Sequence, residues 1–289
     1  MLNDARHGKY KMTRLMFACM RGYLPRVREL LAWESDLHAV DVDGWTPLHF
    51  ACAEGHAAVV RELVGRGAKL EAKAKNSNTP LHLAGFDGYL GVVRFLLDAG
   101  ADIEANSNAG CTPLYLASQE GNIEVVRELL ARGAAVDARH ITSGAPLIKA
   151  SEKGHAGVVR ELLARGADMN ARSNNGLTAL HCASLFGCAE ALRELLKRDG
   201  VDVNAQDNIG HTPLMAACMQ GHLAAAMLLL DSGAGLALLC NAGHSALFWA
   251  ENRVARDAAP PAAGAAPPTA AQLQEHRDLV ALLRARGAT

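Results

Sequence analysis

The sequence predicts an all-α repeat solenoid, because a short motif recurs at nearly constant intervals along its 289 residues. The motif reads Thr-Pro-Leu-His or a close variant, and its first residue falls at Thr13, Thr46, Thr79, Thr112, Ala145, Thr178, Thr212 and Ser245. Successive first residues are 33 residues apart, except for one interval of 34. A period of this size indicates a supersecondary unit that stacks on copies of itself and buries its apolar face against them.

Each unit carries the signals of two helices followed by a loop. In the second unit, Thr46 can cap the first helix, and Pro47 suits the first helical position. Gly55 provides the left-handed residue that ends this helix. A second apolar segment, Val59–Val64, predicts another helix that ends at Gly67. The polar residues before the next motif are typical of a turn.

The helix-ending glycines keep the same register along the chain. They lie nine residues after the first seven motif positions, at Gly22, Gly55, Gly88, Gly121, Gly154, Gly187 and Gly221. Units such as GWTPLHFACAEGHAAVVRELVGRGA and CTPLYLASQEGNIEVVRELLARGA closely resemble the ankyrin repeat, and the resemblance runs from about Thr13 to Ala288. It implies a stack of helix-turn-helix units with projecting β-hairpin or loop fingers and a concave groove beside the inner helices.

The pattern divides the chain into four segments. A polar segment, 1–12, precedes repeats 1 to 7 and the first helix of repeat 8, which together span 13–253. A Pro/Ala-rich insertion, 254–274, holds four of the ten prolines, which predicts a flexible, partly polyproline II loop. We interpret it as a tolerated surface insertion; an interaction tether is the alternative. The segment 275–289 then forms a capping helix.

The composition argues against a nucleic-acid-binding protein, a membrane protein and a disulfide-rich secreted protein. The formal net charge of −1 argues against general binding to nucleic acid or to anionic membranes. No apolar run reaches the length of a membrane span, and the N-terminal residues lack the apolar stretch of a signal peptide. Seven cysteines without a Cys-x-x-Cys pair do not suggest a disulfide framework. We therefore expect a cytoplasmic protein, with the nucleus as the alternative.

No residue pattern indicates catalysis or a cofactor. The resemblance gives His49, His82 and His181 a structural role, in which each ring bonds neighbouring loops. Cys182 and Cys188 could suggest a zinc site with His181, but buried free thiols are the simpler interpretation. No phosphate-binding, nucleotide-binding or hydrolase motif occurs. We predict that the protein is not an enzyme and that it binds no metal or cofactor.

Two asparagines resemble sites that are hydroxylated in this family. They are Asn170 and Asn204, each at the turn that begins a finger. Asparagine also favours such turns for its own conformational reasons, so both interpretations stay open.

The resemblance also places partner contacts. They lie at the finger residue directly before each motif and at the seventh and eighth residues after its first. Large apolar side chains at such exposed positions are unfavourable unless a partner buries them, and aromatic residues contribute most of the binding energy in protein interfaces. Trp45 with Phe86 forms a predicted first patch, and Leu177, Leu185, Phe186 and Met219 form a second. The full set of candidates is Trp45, Asn78, Phe86, Asp87, Leu177, Leu185, Phe186, His211 and Met219. Local packing between finger and helix is the alternative for each residue.

These observations predict a non-catalytic protein–protein interaction module, a scaffold or adaptor that acts as a monomer. The alternative is a substrate-targeting or inhibitory subunit of an enzyme complex, such as a ubiquitin ligase or a kinase pathway. Only the insertion or the basic N-terminal residues could supply the additional recruitment element that this alternative needs.

Overall fold

The computed structural model describes residues 11–258 and 267–288. Within these ranges the chain forms sixteen α-helices and no β-strand, and the predicted all-α repeat solenoid is confirmed. The chain divides into two units, residues 1–141 and 142–289. Each repeat contributes a first helix, here called inner, and a second helix, here called outer.

The first unit contains four repeats. Its inner helices pack on one another in sequence, and each also packs on the outer helix of its own repeat. The core is formed by leucines that share the third motif position, Leu15, Leu48, Leu81 and Leu114, all of which are buried. The helices are α1 Arg14–Met20, α2 Leu24–Ala32, α3 Pro47–Ala53, α4 Ala57–Gly65, α5 Pro80–Phe86, α6 Leu90–Asp98, α7 Pro113–Glu120 and α8 Ile123–Ala131.

The second unit repeats the same arrangement. Its inner helices also pack in sequence, and Leu147, Leu180, Leu214 and Leu247 occupy the equivalent core position. The helices are α9 Pro146–Lys153, α10 Ala156–Ala164, α11 Ala179–Leu185, α12 Ala189–Leu196, α13 Pro213–Gln220, α14 Leu223–Asp231, α15 Ala246–Ala258 and α16 Ala270–Ala285.

Ion pairs join neighbouring outer helices on their exposed side. Arg28 bonds Glu62 at 2.8 Å in the first unit, and Arg160 bonds Glu194 at 3.0 Å in the second. Glu194 also accepts from Lys197, and these two cations lower the pKa of its carboxyl to about 2. The arginine–glutamate pairs therefore support the stacking of the repeats in each unit.

The prediction for the last repeat is partly wrong. Residues 254–258 continue α15, and residues 270–274 already belong to α16. Val254 stands where the other repeats have a helix-ending glycine, so nothing stops the inner helix there. Thr269 and Gln272 form a capping box that starts α16 early. The insertion is therefore helical at both of its ends, which the prediction of a flexible loop over 254–274 did not anticipate. Residues 259–266, and residues 1–10 of the polar N-terminal segment, lie outside the described residues.

The fingers are hydrogen-bonded loops. In the second repeat, the N–H of Asp41 donates to the carbonyl of Trp45 at 3.1 Å and closes a tight turn. The N–H of Lys75 then donates to the carbonyl of Asp43 at 2.8 Å, which joins this finger to the next. Among the described residues these contacts produce turns rather than strands. No helix in the described ranges has both the length and the apolar character that a membrane span requires.

Candidate partner-binding surface

Three buried histidines fix the finger residues. His49, His82 and His181, the linking histidines, each follow a capping threonine by three positions. The Nε2 atoms lie 3.1, 2.9 and 2.9 Å from the carbonyl oxygens of Asn78, Cys111 and His211 in the following repeat. A carbonyl oxygen only accepts, so Nε2 carries the proton in each ring. These bonds anchor two of the predicted partner-contact residues, Asn78 and His211.

The other ring nitrogen acts as an acceptor. Nδ1 of His49 receives the N–H of Thr46 at 3.1 Å and lies 2.8 Å from the threonine hydroxyl. A proton on Nδ1 would point at this N–H, so the site favours the neutral ring. Burial lowers the pKa of all three linking histidines below the usual value. The geometry gives them a structural role.

A second set of polar residues fixes the ends of the inner helices. His56 Nε2 lies 3.0 Å from the carbonyl oxygen of Met20, and the His222 ring reaches that of Leu185 at 3.2 Å. Gly22 lies beneath His56 with φ of +69°, and a Cβ there would come within 2.7 Å of the ring. Glycine is therefore required by both conformation and space. The sequence analysis missed this role, although a polar residue follows the helix-ending glycine in several repeats.

The first patch is only partly exposed. Phe86, at the end of α5, is 36% exposed. Trp45 is half-buried, because its ring packs on Phe50 with centroids 5.1 Å apart. In the described residues the rings of Trp45 and Phe86 make no contact with each other. Part of the Trp45 side chain therefore packs within its own repeat and part is exposed, whereas Phe86 projects from the protein surface.

Acidic side chains occupy the position after Phe86 and the equivalent positions of the two adjacent repeats. Asp87 is exposed, and it lies between the carboxylates of Glu54 and Glu120, which hold the equivalent place in adjacent repeats. Partial burial, and then the two like charges, raise the pKa of Asp87. The surface of the first unit is therefore negatively charged at this point.

The second patch has its most exposed member at the end of α11. Phe186 is 55% exposed, whereas Leu177, Leu185 and Met219 are half-buried. Large apolar side chains that remain this open in a folded unit are candidates for partner contact.

An aromatic cluster at the last two repeats was not predicted. His211 meets the ring of Trp249 edge-on at 5.3 Å, and His244 stacks on Phe248 at 3.7 Å. Trp249 also contacts both His244 and Phe248. The adjacent Phe248 and Trp249 were the available signal, but only the fold shows that a finger histidine from the previous repeat joins them.

The cysteines have no feature of a reactive site. Cys182 is buried, and burial raises the pKa of its thiol to about 12. Cys188 is half-buried with its sulfur 3.6 Å from the carbonyl oxygen of Glu152. In the described ranges no three metal-binding side chains come together.

Comparison with known proteins agrees with this geometry. The family model for ankyrin repeats (3 copies) matches residues 2–74, 71–140, 114–207 and 199–258. The chain belongs to the ankyrin repeat family. No match was found among curated proteins.

Solved ankyrin repeat domains share the fold. The ankyrin repeat domain of Bcl-3, a member of the IkappaB protein family, is 35% identical, with a TM-score of 0.61 over 71% of this chain and 94% of that one. The human ASB11 ankyrin repeat domain is 27% identical, with a TM-score of 0.68 over 81% and 98%. Ankyrin repeats generally serve as protein–protein interaction modules and are typically non-catalytic.

Proposed function

We propose that this ankyrin repeat protein is a monomeric, non-catalytic scaffold or adaptor. It binds a protein partner through the ends of its inner helices and the finger residues beside them. The contact residues are the nine candidates named from the sequence, from Trp45 to Met219. The observation that carries this proposal is the exposure of Phe186 at the end of α11.

An exposed phenylalanine on a rigid helix end favours binding. Covering the exposed 55% of the Phe186 side chain contributes about 1–1.5 kcal/mol, roughly half the value for full burial, and little ordering is needed because the helix is already fixed by its neighbours. The carbonyl of the preceding Leu185 is held by His222, so the backbone beside Phe186 is positioned before any partner arrives. The surface is therefore preorganised.

Charge around Phe86 supports a particular kind of contact in the first unit. Glu54, Asp87 and Glu120 form an acidic border at equivalent helix positions. A partner segment with basic side chains flanking an apolar residue would relieve the repulsion among these carboxylates and cover Phe86. The second unit has no such border at Phe186, so we propose that the two units contact different parts of the partner.

The double variant Leu185→Ser/Phe186→Ser tests the second patch. Affinity capture with quantitative mass spectrometry should show a set of proteins that the wild-type chain retains and this variant loses. Met227→Ser is the matched control, because Met227 is 43% exposed on the outer helix α14, away from the proposed surface. Equal capture by the double variant and the wild type, with unfolding midpoints unchanged, would contradict the proposal.

A further inference from the structure

The last inner helix extends beyond the others. It has 13 residues, whereas the other inner helices have 7 or 8. The additional turn follows from Val254, which replaces the helix-ending glycine of earlier repeats. This turn places Arg256 on the same side of the helix as Asn252 and Arg253. Those two residues lie seven and eight residues after Ser245, the positions at which the ankyrin resemblance places partner contacts.

A small pocket lies where this helix faces the end of α13. Its volume is about 160 Å³, and it adjoins residues already assigned to the proposed surface, since Met219 forms one wall. The Trp249 ring lining it also contacts His211. The lining residues are Met219, Gln220, Trp249, Asn252, Arg253 and Arg256.

The lining is rich in hydrogen-bond donors. The indole N–H of Trp249 is buried, and no acceptor among the described residues bonds it. Buried N–H groups of this kind cost free energy unless they find an acceptor. The guanidinium groups of Arg253 and Arg256 and the side-chain amides of Gln220 and Asn252 add further N–H donors. No carboxylate lines the pocket.

The charge favours a single negative group. Arg253 and Arg256 together carry +2, and Asp257 offsets one of these charges, since its oxygen lies 3.5 Å from Arg253 Nε. The other oxygen of Asp257 is engaged by the buried His276. With one of the two guanidinium groups already paired with Asp257, the arginines suit a carboxylate better than a phosphate group, which carries close to two negative charges.

The size indicates a side chain rather than a free ligand. Pockets for drug-sized molecules and cofactors measure about 300–1,000 Å³, which is larger than this one. Met219 and Trp249 provide apolar surface next to the guanidinium groups, and Gln220 and Asn252 can bond a peptide backbone. The part of the insertion that follows Asp257 cannot supply the anion, because residues 258–274 contain no Asp or Glu.

We propose that this pocket binds an Asp or Glu side chain of a partner peptide. The carboxylate accepts hydrogen bonds from Arg253 and Arg256, and an adjacent apolar side chain of the peptide covers Met219 and Trp249. The inference deepens the proposed function, since it requires that the partner be a protein.

A random peptide library displayed on phage provides the probe. The purified full chain is used for selection, and enriched peptides are then synthesised. We expect them to share an acidic residue next to an aromatic or aliphatic one. Replacing that acid by its amide should weaken binding about tenfold to a hundredfold, because a hydrogen bond to a charged group is lost.

Protein variants locate the binding. Arg253→Gln/Arg256→Gln should weaken binding by a similar factor, and the corresponding double Lys variant should fall between it and the wild type, because Lys lacks the planar fork. Arg193→Gln/Arg277→Gln is the charge-matched control, since these exposed residues lie on the outer helices α12 and α16. Thermal unfolding verifies that every variant is folded. In NMR spectra, the Trp249 indole N–H signal should move on titration with an acidic peptide.

Each outcome separates the two proposals. Peptides that bind independently of the two arginines but are lost in the Leu185→Ser/Phe186→Ser variant would overturn the pocket and leave the proposed function standing. Enrichment of peptides without an acidic residue, or no enrichment at all, would also overturn the pocket. Peptides whose binding depends on the arginines alone would support the pocket and show that Leu185 and Phe186 do not contribute to peptide binding.

Discussion

Replacing Ala145 with threonine should stabilise the protein. Ala145 is 2% exposed at the start of α9, where it cannot supply the side-chain cap that Thr112 and Thr212 supply in other repeats. There the threonine hydroxyl accepts the N–H of the third helical residue at 3.2 or 3.3 Å. In the fifth repeat the N–H of Ile148 instead donates to the carbonyl of Ala145 at 3.1 Å.

The magnitude follows from this difference. A threonine cap contributes about 0.5–2 kcal/mol relative to alanine. The N–H of Ile148 is already partly satisfied, so we expect the low end of that range, about 0.5–1 kcal/mol. A gain of this size raises the melting temperature of a protein of this length by about 2 °C.

Chemical denaturation followed by circular dichroism measures the change, and two variants isolate its cause. Ala145→Val has the shape of threonine without the hydroxyl, so it should not reproduce the gain. Thr212→Ala, in the same unit and without a histidine at the third helical position, should lose a comparable amount. A gain from valine equal to that from threonine would refute the capping argument, and a loss from both would show that the site has no space for either side chain.

Three further predictions concern charge. Acidification from about pH 7.5 to about pH 5.5 should lower the free energy of unfolding. The linking histidines have lowered pKa values in the folded protein, so the unfolded chain binds more protons below about pH 6.5. Replacement of these histidines by Gln should make the free energy of unfolding less dependent on pH in this range. Asp87→Asn should raise stability by about 0.5 kcal/mol at neutral pH. The gain should decrease as the pH falls below the raised pKa of Asp87 and vanish below the unfolded pKa of about 3.8. Glu194→Gln should lower the free energy of unfolding by only about 1 kcal/mol at pH 7, since the cationic partners of Glu194 are exposed and screened. This loss should decrease to zero as the pH falls from the unfolded pKa of about 4.5 to the folded pKa of about 2. A loss that does not depend on pH would contradict the ion-pair explanation.

The repeat fold was predictable because its signals are local. Caps such as Thr46, first-turn prolines and left-handed glycines act within a few residues, and all of them recur in one register. The length of α15 was harder to predict from the sequence. The absence of glycine at Val254 was visible in the sequence, but the nearby prolines suggested a loop, whereas proline restricts only the residues next to it.

The exposure of side chains at the helix ends was predictable, but their packing contacts were not. The helix-end positions of Phe86 and Phe186 indicated exposure, which the structure bears out for both side chains. Trp45 is different, because its indole turns onto Phe50 in its own repeat. The pocket beside Trp249 joins residues of two repeats, and the unpaired indole N–H of Trp249 depends on a side-chain orientation that no sequence spacing specifies.

Each linking histidine bonds the repeat that follows it in the chain, so the position at which the chain is truncated affects stability. A fragment cut before Cys111 would deprive the buried His82 of its acceptor and cost about 1–3 kcal/mol. The fourth repeat has Tyr115 in place of the imidazole, with its ring stacked on His140 at 5.0 Å. A truncation at Ile141, the last residue of the first unit, therefore severs none of these imidazole–carbonyl bonds and is the preferred boundary for producing that half of the chain alone.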